Sequence, residues 1–113
     1  MKIMENLIRT LKKLDFHELD QILDQRDGES FSQAWCELHE LVSTSSASFD
    51  AKEIFIKLSG ITNAHEICSY IVEDLELIIK AEDLSVEPKF LNYLKKSYEQ
   101  GTVPCTWSIL NRI

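Results

Sequence analysis

Residues 64–81 read AHEICSYIVEDLELIIKA, and the fold turns on this stretch. It shows no strand-like alternation. Advanced at 100° per residue from Ile67, the residues Ala64, Cys68, Ile71, Val72, Leu75, Ile78 and Ile79 fall within an arc of about 0° to 140°. A stripe that wide predicts the longest helix of the chain, laid against a core. Asn63 and Glu66 form a capping box at its start. On the far side, between about 240° and 300°, lie Glu66, Tyr70, Glu73 and Leu77, flanked by Asp74 and Glu76. An aromatic ring and a leucine set among carboxylates admit two readings. Tyr70 and Leu77 supply the desolvated contact of a binding face, with Glu66, Glu73, Asp74 and Glu76 steering and pairing a basic partner. Or a neighbouring helix or the tail covers the pair.

The same periodicity extends outward from this helix. Ile3, Met4, Leu7, Ile8, Leu11 and Leu14 make one stripe opposite Lys2, Arg9, Lys12 and Lys13, an amphipathic first helix. Asp15 and Glu18 are a capping box for a second, with Phe16, Leu19, Ile22 and Leu23 inward and Asp20, Gln21 and Asp24 outward. Gly28 breaks it. Phe31, Ala34, Trp35, Leu38, Leu41 and Val42 define a third. Asp50 and Glu53 open a short fourth helix that Gly60 is placed to end. Pro88 suits the first position of the last helix, lined by Phe90, Leu91, Leu94 and Tyr98, and Gly101 stops it. Three Gly and two Pro in 113 residues leave little material for the turns of an all-β fold. The expectation is one all-α domain, residues 1–113, an irregular bundle of five or six short helices.

The net charge of -7 argues against direct nucleic-acid binding, which needs concentrated Lys and Arg. It permits a basic partner, and it also serves solubility. The charge is segregated. Residues 15–40 hold eight acids and only Arg26, residues 66–87 hold seven acids and only Lys80, and both ends are basic. Asp20, Asp24, Asp27 and Glu29 of the first block offer an alternative binding face. No apolar run is long enough to span a bilayer, and no signal-type stretch opens the chain. Three irregularly spaced cysteines fit a reducing compartment, so a cytoplasmic protein is expected.

Chemistry has few candidates. CELH (Cys36, His39) and HEIC (His65, Cys68) could together offer Cys₂His₂ to zinc. Cys68, however, sits in an apolar stripe, where cysteine behaves as a small hydrophobe. Cys36 with His39 resembles a thiolate pair, but Glu37 and Glu40 would raise the thiol pKa and no oxyanion loop is present. Gly28, Gly60 and Gly101 are isolated, so no phosphate-cradling loop exists. Neither catalysis nor a cofactor is expected. Cys105, near the end and outside a helix, is the thiol expected to react most readily.

The chain closes on YEQGTVPCTWSILNRI, residues 98–113, with one charge in its last twelve positions. Gly101 allows a left-handed exit from the last helix, and Pro104 stiffens the extended segment beyond it. Val103, Cys105, Trp107 and Ile109 alternate along one side. This predicts an extended apolar tail packed on the core, with an exposed docking peptide as the alternative. The pattern from Tyr98 to Trp107, Y-x-x-G-x-x-P-C-x-W, resembles the C-terminal regions of immunity proteins from polymorphic-toxin and contact-dependent growth inhibition systems. Relatives of that kind often have glycine where this chain has Thr106. The resemblance implies a cytoplasmic inhibitor that binds a cognate toxin, commonly a basic nuclease, and masks its active site. Two other readings remain open: an acidic nucleic-acid mimic that inhibits a nucleic-acid-binding protein, and a helical Cys/His metal protein. Like charges on both acidic faces favour a monomer when free.

Overall fold

In the computed structural model, described for residues 2–62 and 65–107 and for side chains other than those at positions 2–4 and 16, six α-helices follow one another. They are α1 (Lys2–Leu11), α2 (Phe16–Arg26), α3 (Glu29–Leu41), α4 (Ala51–Thr62), α5 (His65–Leu84) and α6 (Lys89–Glu99). No strand occurs among the described residues, and the helices form an irregular bundle, as the periodicity predicts. The longest is α5, with 20 residues. Helices α4 and α6 pack against it, and α1 packs on α6 and α4.

The local signals account for most boundaries. Asp15 Oδ1 accepts the Glu18 N–H at 2.8 Å, and the Glu18 carboxylate accepts the Asp15 N–H at 3.5 Å. Asp50 Oδ1 accepts the Glu53 N–H at 3.1 Å. The capping box at Asn63 lies outside the described residues, as do the side chains of Lys2, Ile3, Met4 and Phe16. Pro88 occupies the N-cap, one place ahead of the position expected for it. Gly60 does not end α4, which runs on to Thr62. Leu58 is fully buried and Ile61 half-buried, and burying that face outweighs the roughly 1 kcal/mol that glycine costs inside a helix.

Helices α5 and α6 both close on a left-handed residue. At α6 it is Gly101, φ 80°, with the Thr102 N–H donating to the Ser97 carbonyl at 2.8 Å. A Cβ there would lie 2.9 Å from the Asn6 carbonyl of α1. Helix packing and backbone sign thus both require glycine. At α5 it is Ser85, φ 56°, with the Val86 N–H reaching the Ala81 carbonyl at 3.1 Å, the same Schellman closure.

The core gathers Leu7 and Leu11 of α1, Phe31 and Leu38 of α3, Leu58 of α4, Ile67, Ile71 and Leu75 of α5, and Phe90 and Leu94 of α6. Leu41, expected inward, is 48% exposed at the end of α3. The tail lies back on this core. Val103 and Pro104 are buried. The Cys105 and Thr106 N–H groups each donate to Tyr93 Oη at 3.2 Å. Trp107 meets Phe90 edge-on, 5.2 Å between ring centroids. Ile109, Leu110 and Ile113 lie outside the described residues.

Candidate partner-binding groove

The first determinant of the site is a polar group inside the protein. Asp74, on α5, has no exposed surface. Arg26, the last residue of α2, is 5% exposed and grips it with two nitrogens, Nη1 to Oδ2 at 2.8 Å and Nη2 to Oδ1 at 2.9 Å. Trp35 Nε1 of α3 donates to Oδ1 at 2.9 Å, and Tyr98 Oη of α6 donates to Oδ2 at 2.6 Å. Nη1 also donates to the Pro104 carbonyl at 2.8 Å. One carboxylate therefore ties α2, α3, α5, α6 and, through Arg26, the tail. Burial works against the charge on Arg26, but the hydrogen bonds and negative charge of Asp74 more than restore it, and its pKa is raised. Burial first, and Asp74 second, push the Tyr98 phenol well above its ordinary range.

Above this group runs a groove between α3 and α5. One cavity, of about 160 Å³, is lined by Arg26, Asp27, Phe31, Ser32, Trp35, Tyr70 and Glu73. It adjoins a second, of about 190 Å³, lined by Trp35, His39, Glu73, Glu76, Leu77 and Lys80. Trp35 and Glu73 belong to both. Partial burial, then the neighbouring Asp74 charge, hold the Glu73 carboxyl above its usual range, with Arg26 opposing. Glu73 forms no salt bridge among the described residues, whereas Glu76 is paired with Lys80 at 3.1 Å. The ring of Tyr70 lies over the Arg26 guanidinium, 5.0 Å from its centroid, and the His39 ring stacks on Trp35 at 5.3 Å.

The structure separates the residues expected on the binding face. Glu66 and Glu73 are exposed, and Tyr70 and Glu76 are half-buried. Asp74 and Leu77 are not surface residues. Asp74 holds the interior group, and Leu77 is 2% exposed. Both are covered because α5 is central and buries more of its circumference than its own apolar stripe marks. Asp20 and Asp24 are exposed on α2, and neither lines the groove. Asp27, expected on the alternative face of the first acidic block, lines it, and so do Trp35 and Ser32, of which the periodicity of α5 gave no sign.

The structure does not gather Cys36, His39, His65 and Cys68 into one site. His39 stacks on Trp35, His65 lies near Phe55, and Cys68 is fully buried beside Thr62 Oγ1 at 3.2 Å. Among the described residues no group of three or more His, Cys, Asp and Glu is placed to hold a metal ion. All three cysteines are free thiols. Cys105 donates to Gln25 Oε1 at 2.8 Å, and burial pushes its thiol up, which lowers its reactivity. Among the described residues no helix is long and apolar enough to cross a membrane.

Fold and site together describe a small all-α protein with an acidic, aromatic groove between α3 and α5; a larger cavity, of about 450 Å³, lies apart from it between α3, α6 and Trp107. The chain belongs to the family described as Immunity protein PIM1, whose profile matches residues 2–105. Family membership implies a toxin partner and accords with a role other than catalysis. No curated protein and no solved structure matches the chain.

Proposed function

We propose that this protein binds a cognate toxin, a basic nuclease domain, and masks its active site through the groove between α3 and α5. The observation that carries the reading is the convergence of the two acidic blocks there. Asp27 from the first and Glu73 and Glu76 from the second share walls with Trp35 and Tyr70. Carboxylates give long-range steering of a basic partner. Aromatic side chains give the desolvated contact that slows its departure. The interior group fixes Trp35, so the groove is formed before the partner arrives and loses little freedom on binding. The protein acts in the cytoplasm as a monomer, takes no cofactor and touches no nucleic acid itself. The tail resemblance supports delivery of the toxin by contact-dependent growth inhibition.

A pull-down with tagged protein from the source organism's lysate, washed at low and high salt, tests this. One stoichiometric partner with a basic domain, whose nuclease activity stops when the protein is added at equal concentration, is the expected outcome. A set of nucleic-acid-binding proteins that all wash away at high salt would instead establish the mimic.

A further inference from the structure

Helix α2 has little of its own to hold it in place. Among its described side chains only Leu19 and Arg26 are buried, with Ile22 and Leu23 half-buried. It packs on α3, and an element with so few buried apolar groups opens at low cost. Yet α2 ends on Arg26, Asp27 follows, and both line the groove. Two hydrogen bonds join the tail to this end of the helix. Arg26 Nη1 donates to the Pro104 carbonyl at 2.8 Å, and the Cys105 thiol donates to Gln25 Oε1 at 2.8 Å.

The tail is fastened in turn to α6. The Thr102 N–H and hydroxyl both donate to the Ser97 carbonyl, at 2.8 and 3.0 Å. The Cys105 and Thr106 N–H groups share Tyr93 Oη. These last two bonds fall just beyond Pro104, so the phenol hydroxyl fixes where the Pro104 carbonyl sits. Pro104 is less than 2% exposed and covers Arg26 Nη1, and hydrogen bonds of the Arg26–Asp74 kind are stronger away from water. Neither Tyr93 nor any residue of 102–107 lines the two groove cavities. We propose that Tyr93 and the tail, residues 102–107, are a latch that positions the C-terminal end of α2, and with it Arg26 and Asp27, for the toxin. Tyr93 is a positioning residue, acting on the groove through the tail and α2. This rests on the groove being the toxin-binding face and states what holds one wall of it in place.

Tyr93→Phe removes the hydroxyl and keeps the ring against Phe90 and Trp107, and Cys105→Ala removes the thiol bond to Gln25. Amide hydrogen exchange of the full chain, resolved by NMR, reads the latch without the toxin. In Tyr93→Phe the Arg26 and Asp27 amides should exchange about 5-fold faster, the factor that one net hydrogen bond supplies, and Cys105→Ala should speed the same amides. A hydroxyl that serves only α6 and the tail would speed the Cys105 and Thr106 amides and leave the last turn of α2 unchanged, which overturns the latch. With the captured toxin domain, Tyr93→Phe should raise the off-rate by at least about 2-fold, and an Asp27→Ala background should erase that rise because both act through one element. No rise, or a rise that persists undiminished in Asp27→Ala, overturns the positioning role when Tyr70→Ala does weaken binding. If Tyr70→Ala and Glu66→Lys/Glu73→Lys both bind as wild type, the groove falls as the toxin face, and exchange alone then decides whether the tail holds α2.

Discussion

Replacing Asp74 by Asn keeps the shape of the side chain and removes what the structure uses. The carboxylate receives four donors, Arg26 Nη2 and Trp35 Nε1 on Oδ1 and Arg26 Nη1 and Tyr98 Oη on Oδ2. They fill its acceptor sites. An amide turned either way sets its NH₂ against two of those donors. The Arg26 charge, 5% exposed, also loses its counter-ion. Removing one partner of a buried ion pair costs about 3–5 kcal/mol, a large part of the roughly 5–15 kcal/mol that holds a domain folded. With a urea dependence of about 2 kcal/mol per molar, the midpoint falls by about 2 M. Tryptophan fluorescence during urea unfolding reads this, since the Trp35 indole is one of the four donors. Arg26→Met with Asp74→Leu removes the isolated charge and recovers part of the loss, as hydrophobic replacement of a buried pair often does. A single Asn variant within about 1 kcal/mol of wild type would refute the reasoning. So would a double variant no more stable than the single one.

Tyr70→Ala removes a ring from the groove and from the face of Arg26. It should weaken toxin binding by about 2 kcal/mol, mainly through a faster off-rate in surface plasmon resonance, and lower stability by about 1 kcal/mol. An unchanged off-rate would show that the ring serves the fold alone. Ser85→Gly relieves a left-handed serine at the end of α5 and should raise stability by about 0.5–1 kcal/mol, read as a higher thermal midpoint. A lower midpoint would contradict that. The folded Tyr98 keeps its proton above the ordinary value of 10.0, so between about pH 9 and pH 11 the unfolded chain loses a proton that the folded one retains, and stability falls as pH rises. Tyr98→Phe should be less stable at neutral pH and lack that part of the alkaline loss; an identical alkaline slope would show that another group causes it.

The helices were legible because their signals are local. Asp15 with Glu18 forms the capping box its spacing predicts, Asp50 makes the first half of one by accepting the Glu53 N–H, and Phe90, Leu91, Leu94 and Tyr98 all turn inward. What a helix's own pattern does not show is which neighbours cover its other sides. Leu77 and Tyr70 sit on one side of α5 by periodicity, yet Leu77 is buried and Tyr70 only partly so. Asp74 did carry a signal. It lies seven residues after Ile67, which returns it to the side of a core position, and Arg26 is the lone base among the acids of residues 15–40. Their pairing spans 48 residues, and no periodicity reaches that far. The same holds for the groove, whose α3 wall of Ser32 and Trp35 meets the α5 wall only in the folded chain. Gly60 misled because its effect on a helix is small beside the burial of the turn around it.

Association kinetics with the captured toxin domain test the central claim most directly, comparing Glu66→Lys/Glu73→Lys with Asp20→Lys/Asp24→Lys at low and at high salt. The account predicts that reversal on α5 slows association by about 10-fold or more at low salt and much less at high salt, while reversal on α2 leaves the affinity near wild type. Loss of binding on reversal at Asp20 and Asp24, with wild-type kinetics after reversal at Glu66 and Glu73, would contradict it and move the binding face to α2.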